Sequence, residues 1–210
     1  MSSLAQSERQ RLCDTALLVG PDAPTLSGAW TVRDLLAHLV VRESDPVGAP
    51  GIVVTPMAFL TERRMRRLAR TDFADLVEKV RRPALWAPAR LPRLDQLLNT
   101  LEFFVHHEDI RRALPGWTPR ELTVGEQKQV WKAIGYAGRG LVRPSGVPVA
   151  IRWEETGFET TLRRGEGPVM VTGDPGEITL FLFGRDQVSG LAFDGPPPHV
   201  TKLRHAGLGI

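Results

Sequence analysis

The segment Asn99-Thr-Leu-Glu-Phe-Phe-Val-His-His-Glu-Asp-Ile-Arg-Arg112 constrains the fold of this chain more than any other. At 3.6 residues per turn, positions three, four and seven apart share one helical face. Glu102, His106 and Asp109 therefore lie together. Leu94, Leu98, Leu101 and Val105 mark the apolar stripe of the same helix. Glu102 and Asp109 fall near the centre of that stripe, His106 lies beside it, and His107 and Glu108 point away toward water. Burying an unpaired carboxylate costs roughly several kcal/mol, so the core-facing trio needs partners. One solution is a cation, because Glu-x-x-x-His at i, i+4 offers an oxygen and a nitrogen to a single ion. The alternatives are a helix-surface pair of Glu102 with His106, or a buried pair bonded to Arg111 or Arg112. Asp109 fits the role of a carboxylate that orients a histidine better than that of a ligand.

A further donor lies upstream. Trp30-Thr-Val-Arg-Asp-Leu-Leu-Ala-His-Leu-Val-Val-Arg-Glu43 reads as a helix whose start is spelled out. Thr31 is the N-cap, Asp34 closes a capping box, and Trp30 with Leu35 forms a hydrophobic staple. His38 sits at the edge of the buried face, between Leu35 and Val41. Two helices of one bundle can then present His38, Glu102 and His106 to a common point. Three protein ligands leave a coordination position open, the pattern of catalytic rather than structural metal sites. Taken alone, His38 also reads as a satisfied boundary histidine.

The rest of the chain sets limits. Its 210 residues allow one large or two small domains. The apolar runs are far too short to span a membrane, and Met1 to Arg9 has no apolar signal core. The single cysteine, Cys13, rules out an internal disulfide and suits a reducing cytoplasm, where it reads as a buried thiol. Net charge is +3. The densest basic run, Arg63 to Arg70, is read as a solvated helix face, with binding of nucleic acid or an anionic ligand as the alternative. With one tyrosine in the chain and no interleaving of aromatic and basic residues, nucleic acid is not an expected partner.

Helical periodicity predicts helices over Ser3–Leu18, Thr31–Glu43, Pro56–Arg70, Asp72–Arg82 and Pro92–Leu114, joined by Pro- and Gly-rich loops at Gly20–Gly28, Pro46–Gly51 and Pro83–Leu91. Pro115-Gly-Trp-Thr-Pro119 ends the long helix. A helix over Thr123–Leu141 follows, then strands over Val147–Glu154, Phe158–Arg164 and Pro168–Thr172, a helix over Glu177–Phe183, and a last strand over Val188–Phe193. Pro196-Pro-Pro198 and a mobile tail close the chain. The expected organisation is a metal-binding helical bundle over residues 1–118 and a small α+β domain over 119–210.

Gly28-Ala-Trp-Thr-Val-Arg-Asp-Leu-Leu-Ala-His38 and Glu102-Phe-Phe-Val-His-His-Glu-Asp109 together resemble the mycothiol-dependent maleylpyruvate isomerase family, part of the wider DinB-like metal-binding bundles. The variant with Val-Val-Arg-Glu after the histidine is similar to an actinobacterial metal-binding branch of that superfamily. The resemblance implies an α+β fold: an N-terminal DinB-like four-helix bundle with a small C-terminal α/β domain. It also implies a divalent metal, commonly zinc, with nickel, iron or manganese as alternatives, held by His38, Glu102 and His106. Val171 to Arg185 is similar to the strand–turn–helix ending in Gly-Arg found in that family. The divergent C-terminal portion carries no substrate site across, so activity on maleylpyruvate is not implied. Two functions follow as expectations. One is a metal-dependent enzyme, an isomerase or transferase using mycothiol or a similar small thiol on a small-molecule substrate. The other is a non-catalytic metal-binding protein acting as sensor, carrier or scaffold. The oligomeric state, the substrate and the identity of the catalytic residues stay open.

Overall fold

The computed structural model describes residues 3–49, 52, 55–84 and 92–209, without the side chains of 55 and 92–98. The chain divides into two compact units, Met1–Thr118 and Pro119–Ile210. The first is helical: α1 (Leu4–Val19), α2 (Val32–Ser44), α3 (Ala58–Leu68), α4 (Phe73–Arg81) and α5 (Pro92–Arg112). Most of the expected loop over Pro83–Leu91, and part of that over Pro46–Gly51, lie outside the described residues, as do the side chains of Leu94 and Leu98.

Local chemistry starts the helices where the sequence says. Thr31 caps α2, its hydroxyl accepting from the Asp34 amide at 3.3 Å while the Asp34 carboxylate accepts from the Thr31 amide at 3.1 Å. Ser3 and Gln6 form the same reciprocal box on α1. Four helices then share one core: Leu12, Cys13 and Ala16 of α1, Leu35, Leu36 and Leu39 of α2, Leu76, Val77 and Val80 of α4, and Phe103 and Ile110 of α5. α3 packs along α2 from outside, where the buried Thr61 hydroxyl donates to the Gly48 carbonyl at 2.6 Å.

One expectation about α5 is overturned. His107 and Glu108 do not face water; both are buried. The reason is that α1 packs along α5, so this helix is covered on more than one side. His107 Nδ1 pairs with Glu8 at 2.9 Å and its Nε2 with the Thr15 hydroxyl at 3.0 Å. Glu108 is paired with Arg111 and with the buried Arg112. Position off the main apolar stripe does not imply solvation: a helix packed on two sides buries a polar flank wherever partners satisfy it.

The second unit holds α6 (Val124–Leu141), strands β1 (Val149–Trp153), β2 (Glu159–Arg163), β3 (Val169–Gly173) and β4 (Ala192–Asp194), and helices α7 (Pro175–Leu182) and α8 (Pro197–Arg204). The sheet order is β2-β1-β3-β4. β1 pairs antiparallel with β2 and parallel with β3, and β3 pairs antiparallel with β4. Thus β1, buried at four of its five positions, is central. α6 comes close to β2 at Gly138, where an added Cβ would sit 2.9 Å from a Leu162 methyl carbon. Helices beside a small sheet make the chain α+β, with a helical bundle followed by a small α/β unit.

The end of the chain corrects a second expectation. Residues 197–204 are not a mobile tail but α8, with Leu203 fully buried and His199 Nδ1 donating to the Gly167 carbonyl at 2.7 Å. The proline run does not prevent this helix, because proline is well placed in a first helical turn, where its missing N–H has no partner to lose. Leu203→Ala should therefore cost about 2–5 kcal/mol of stability. Urea denaturation followed by circular dichroism measures this, and a loss below about 0.5 kcal/mol would mean the segment is not packed.

Candidate metal centre

α2 and α5 bring three side chains together. His38 is buried, with Leu35 and Val41 fully buried around it. Its ring lies 5.0 Å from that of Trp30 and 5.6 Å from that of His106, the latter edge-on. Glu102 Oε1 is 3.5 Å from His38 Nε2 and 3.2 Å from His106 Nε2. One ligand-type atom from each of His38, Glu102 and His106 lies within 4.8 Å of the others.

Asp109 organises this cluster from behind. Its Oδ2 accepts from His106 Nδ1 at 2.9 Å and from the Ser27 hydroxyl at 2.8 Å, and its backbone carbonyl accepts from the Leu26 amide at 3.1 Å. A carboxylate facing Nδ1 keeps the proton there and turns Nε2 toward Glu102. The alternative partners Arg111 and Arg112 do not reach Glu102; both pair with Glu108.

Sequence reasoning missed Arg42, whose Nε lies 3.2 Å from Glu102 Oε1. The signal was available, because Arg42 follows His38 by four residues and so shares its face. Behind Arg42 runs a buried polar chain. Arg42 Nη1 donates to Asn99 Oδ1 at 2.6 Å, and Asn99 Nδ2 donates to Glu43 Oε1 at 2.6 Å. Arg9 clamps Glu43 with both terminal nitrogens, donates to the Val80 carbonyl, and lies over the Phe103 ring at 4.1 Å.

The electrostatics follow from this packing. Burial pushes the Glu102 carboxyl up, but His106, His38 and Arg42 outweigh it and hold the group well below the usual carboxylate range. Burial also opposes charge on His106, yet Asp109 and Glu102 push it up to about 9. His38 moves the other way: burial lowers it, against the pull of Glu102. Elsewhere, burial pushes the Cys13 thiol up to about 12, so it is no nucleophile at neutral pH. Arg63, Arg66, Arg67 and Arg70 are exposed, as a solvated face requires.

Comparison with known proteins shows a shared fold. The crystal structure of mycothiol-dependent maleylpyruvate isomerase superposes with a TM-score of 0.56 at 15% sequence identity, covering 91% of this chain and 90% of that one. No family model and no curated protein matches the sequence. Among the described residues, no helix is long and apolar enough to cross a membrane.

Because Asp109 raises His106 above its ordinary 6.5, this histidine stabilises the metal-free fold fully below pH 6.5, and the contribution is lost as pH rises through about 9. Asp109→Asn should bring the His106 titration, followed by proton NMR of the ring, down from about 9. An unchanged midpoint would show that Asp109 does not govern this ring.

Proposed function

We propose that the chain binds a divalent metal ion through His38, Glu102 and His106, and that it is a metal-dependent enzyme using a low-molecular-weight thiol, with mycothiol the foremost candidate. The observation that carries this reading is the meeting of two imidazole nitrogens and one carboxylate oxygen within 4.8 Å. Around a tetrahedral ion with bonds of about 2.0–2.1 Å, donor atoms stand about 3.3–3.4 Å apart. The separations of 3.2 and 3.5 Å from Glu102 Oε1 bracket that spacing. The donor set suits zinc, and also nickel, iron or manganese.

Each residue has a task. His106, turned by Asp109, presents the Nε2 lone pair. Glu102 supplies the negative charge that a divalent ion needs. His38, against the Trp30 ring, completes the set. Three protein donors leave room for a fourth, non-protein donor. When bound, the ion supplies the charge that lowers the pKa of a thiol brought to it. The thiol itself is suggested by the fold shared with a mycothiol-dependent enzyme and by the motifs around His38 and Glu102. The Val40-Val-Arg-Glu43 variant supports a place near the actinobacterial metal-binding branch of such bundles. The substrate is read as a small electrophile and no further. A non-catalytic metal-binding role is the second reading, favoured by the slight exposure of the three donor side chains, 10–18%.

Metal analysis and titration test the proposal. The purified protein should take up one equivalent of zinc or cobalt. His106→Ala should weaken uptake beyond the roughly 10–100-fold that loss of an outer partner costs, and Glu102→Gln should weaken it too. Near neutral pH, uptake should release close to one proton, because His106 is charged below about 9. Calorimetry in buffers of different ionisation enthalpy measures that proton. Equal uptake by wild type and His106→Ala would end the metal reading. Cobalt uptake whose visible spectrum no thiol perturbs would leave only the non-catalytic one.

A further inference from the structure

Glu102 Oε1 serves two masters. It is the oxygen that faces both His38 Nε2 and His106 Nε2, and it is also the oxygen that pairs with Arg42 Nε at 3.2 Å. An ion held by the three donors shares this atom with a guanidinium. Arginine carries its charge at every accessible pH. It therefore stabilises the lone carboxylate when no ion is present and repels a divalent ion when one arrives.

The position of Arg42 is not incidental. Asn99, 2% exposed, holds Nη1 at 2.6 Å and passes the restraint to Glu43, which Arg9 grips from two directions. A buried ion pair of this kind is a poor source of stability, because desolvation offsets most of its attraction. Its stronger effect is geometric. It ties α1, α2 and α5 into one strut that ends on the guanidinium beside Glu102.

We propose that Arg42 is a positioning residue that sets metal affinity: a resident cation, fixed by Asn99 and Glu43, that weakens divalent-metal binding by sharing Glu102 Oε1. This inference rests on the metal reading above. It predicts an unusual sign. A merely structural Arg42 would, on removal, loosen the site and weaken metal binding. A competing Arg42 would, on removal, tighten it.

The test is the zinc affinity of the full-length protein, measured by competition with a chromophoric chelator at low ionic strength. Arg42→Gln keeps a hydrogen-bond donor but removes the charge, and should bind zinc about ten-fold tighter or more. Arg42→Lys restores the charge and should return affinity to within about three-fold of wild type. Should Arg42→Gln fail to fold, Asn99→Ala keeps the guanidinium but removes one of its restraints, and affinity should rise part of the way. Zinc binding by Arg42→Gln equal to or weaker than wild type overturns the inference, as does Arg42→Lys binding as tightly as Arg42→Gln. For Asn99→Ala, unchanged or weaker binding does the same. Wild type that binds no zinc defeats the metal proposal itself and this inference with it, whereas binding without tightening defeats this inference alone.

Discussion

The carboxylate of Glu102 is the constraint around which the helical unit is arranged. An acid on a core-facing helix side is unfavourable to bury, and the fold answers by surrounding it with nitrogen. Two imidazoles and a guanidinium point at one oxygen. Each must be held, since a long side chain left loose would lose rotamer freedom on engaging. His106 is held by Asp109, His38 by the packing of α2 against Trp30, and Arg42 by the chain through Asn99 and Glu43 to Arg9. The phase of α2, set by the Thr31–Asp34 box, puts both His38 and Arg42 on the side that faces α5. Tertiary structure here is in large part the means of keeping one charge balanced.

Much of this was legible in the sequence, for definable reasons. Helices with clean 3.6-residue spacing and spelled-out caps, such as α2 and α4, lie within a residue or two of their expected bounds. So do β1, β2 and β3. The last strand is shorter than expected, three residues rather than six, because only Ala192 to Asp194 find partners on β3. The likeness to a solved structure agrees with the α+β architecture read from the motifs. Two things were hidden. Periodicity identifies the side of a helix that is most apolar, but not how many neighbours the helix has, so the burial of His107 and Glu108 was invisible. Pairing between distant segments was hidden too: nothing in the local pattern links Arg9 to Glu43, or Arg42 to Asn99. Arg42 itself was within reach, through its four-residue step from His38, but a charged residue near a helix C-terminus has an ordinary explanation in the helix dipole.

α5 illustrates how a single helix carries two different polar solutions. Toward α2 it offers Glu102 and His106, slightly exposed and spaced like donors. Toward α1 it offers His107, enclosed between Glu8 and Thr15, with both ring nitrogens engaged. Adjacent histidines in the sequence therefore have opposite characters. One is presented with a nitrogen toward a cluster of donors, and the other is saturated by its neighbours. Both histidines have partners at each ring nitrogen; what separates them is that the Nε2 partner of His106, Glu102, also faces a second imidazole, His38, whereas His107 meets one carboxylate and a hydroxyl.

The wide separation of His38 and Glu102 along the chain has an architectural consequence. All of α3 and α4 lies between them, so the cluster closes a long loop, part of which, α4, also packs into the core beneath it. Entropy charges little for such closure, about 0.6 kcal/mol for each doubling of loop length. That weak dependence applies to the connections between the helices and not to α4 itself, whose Leu76, Val77 and Val80 lie in the shared core. Residues 23–43 and 99–112 work under the opposite rule. There a one-residue shift would rotate every donor by about 100 degrees around its helix, and the histidines, the carboxylate and their supports would all lose register together.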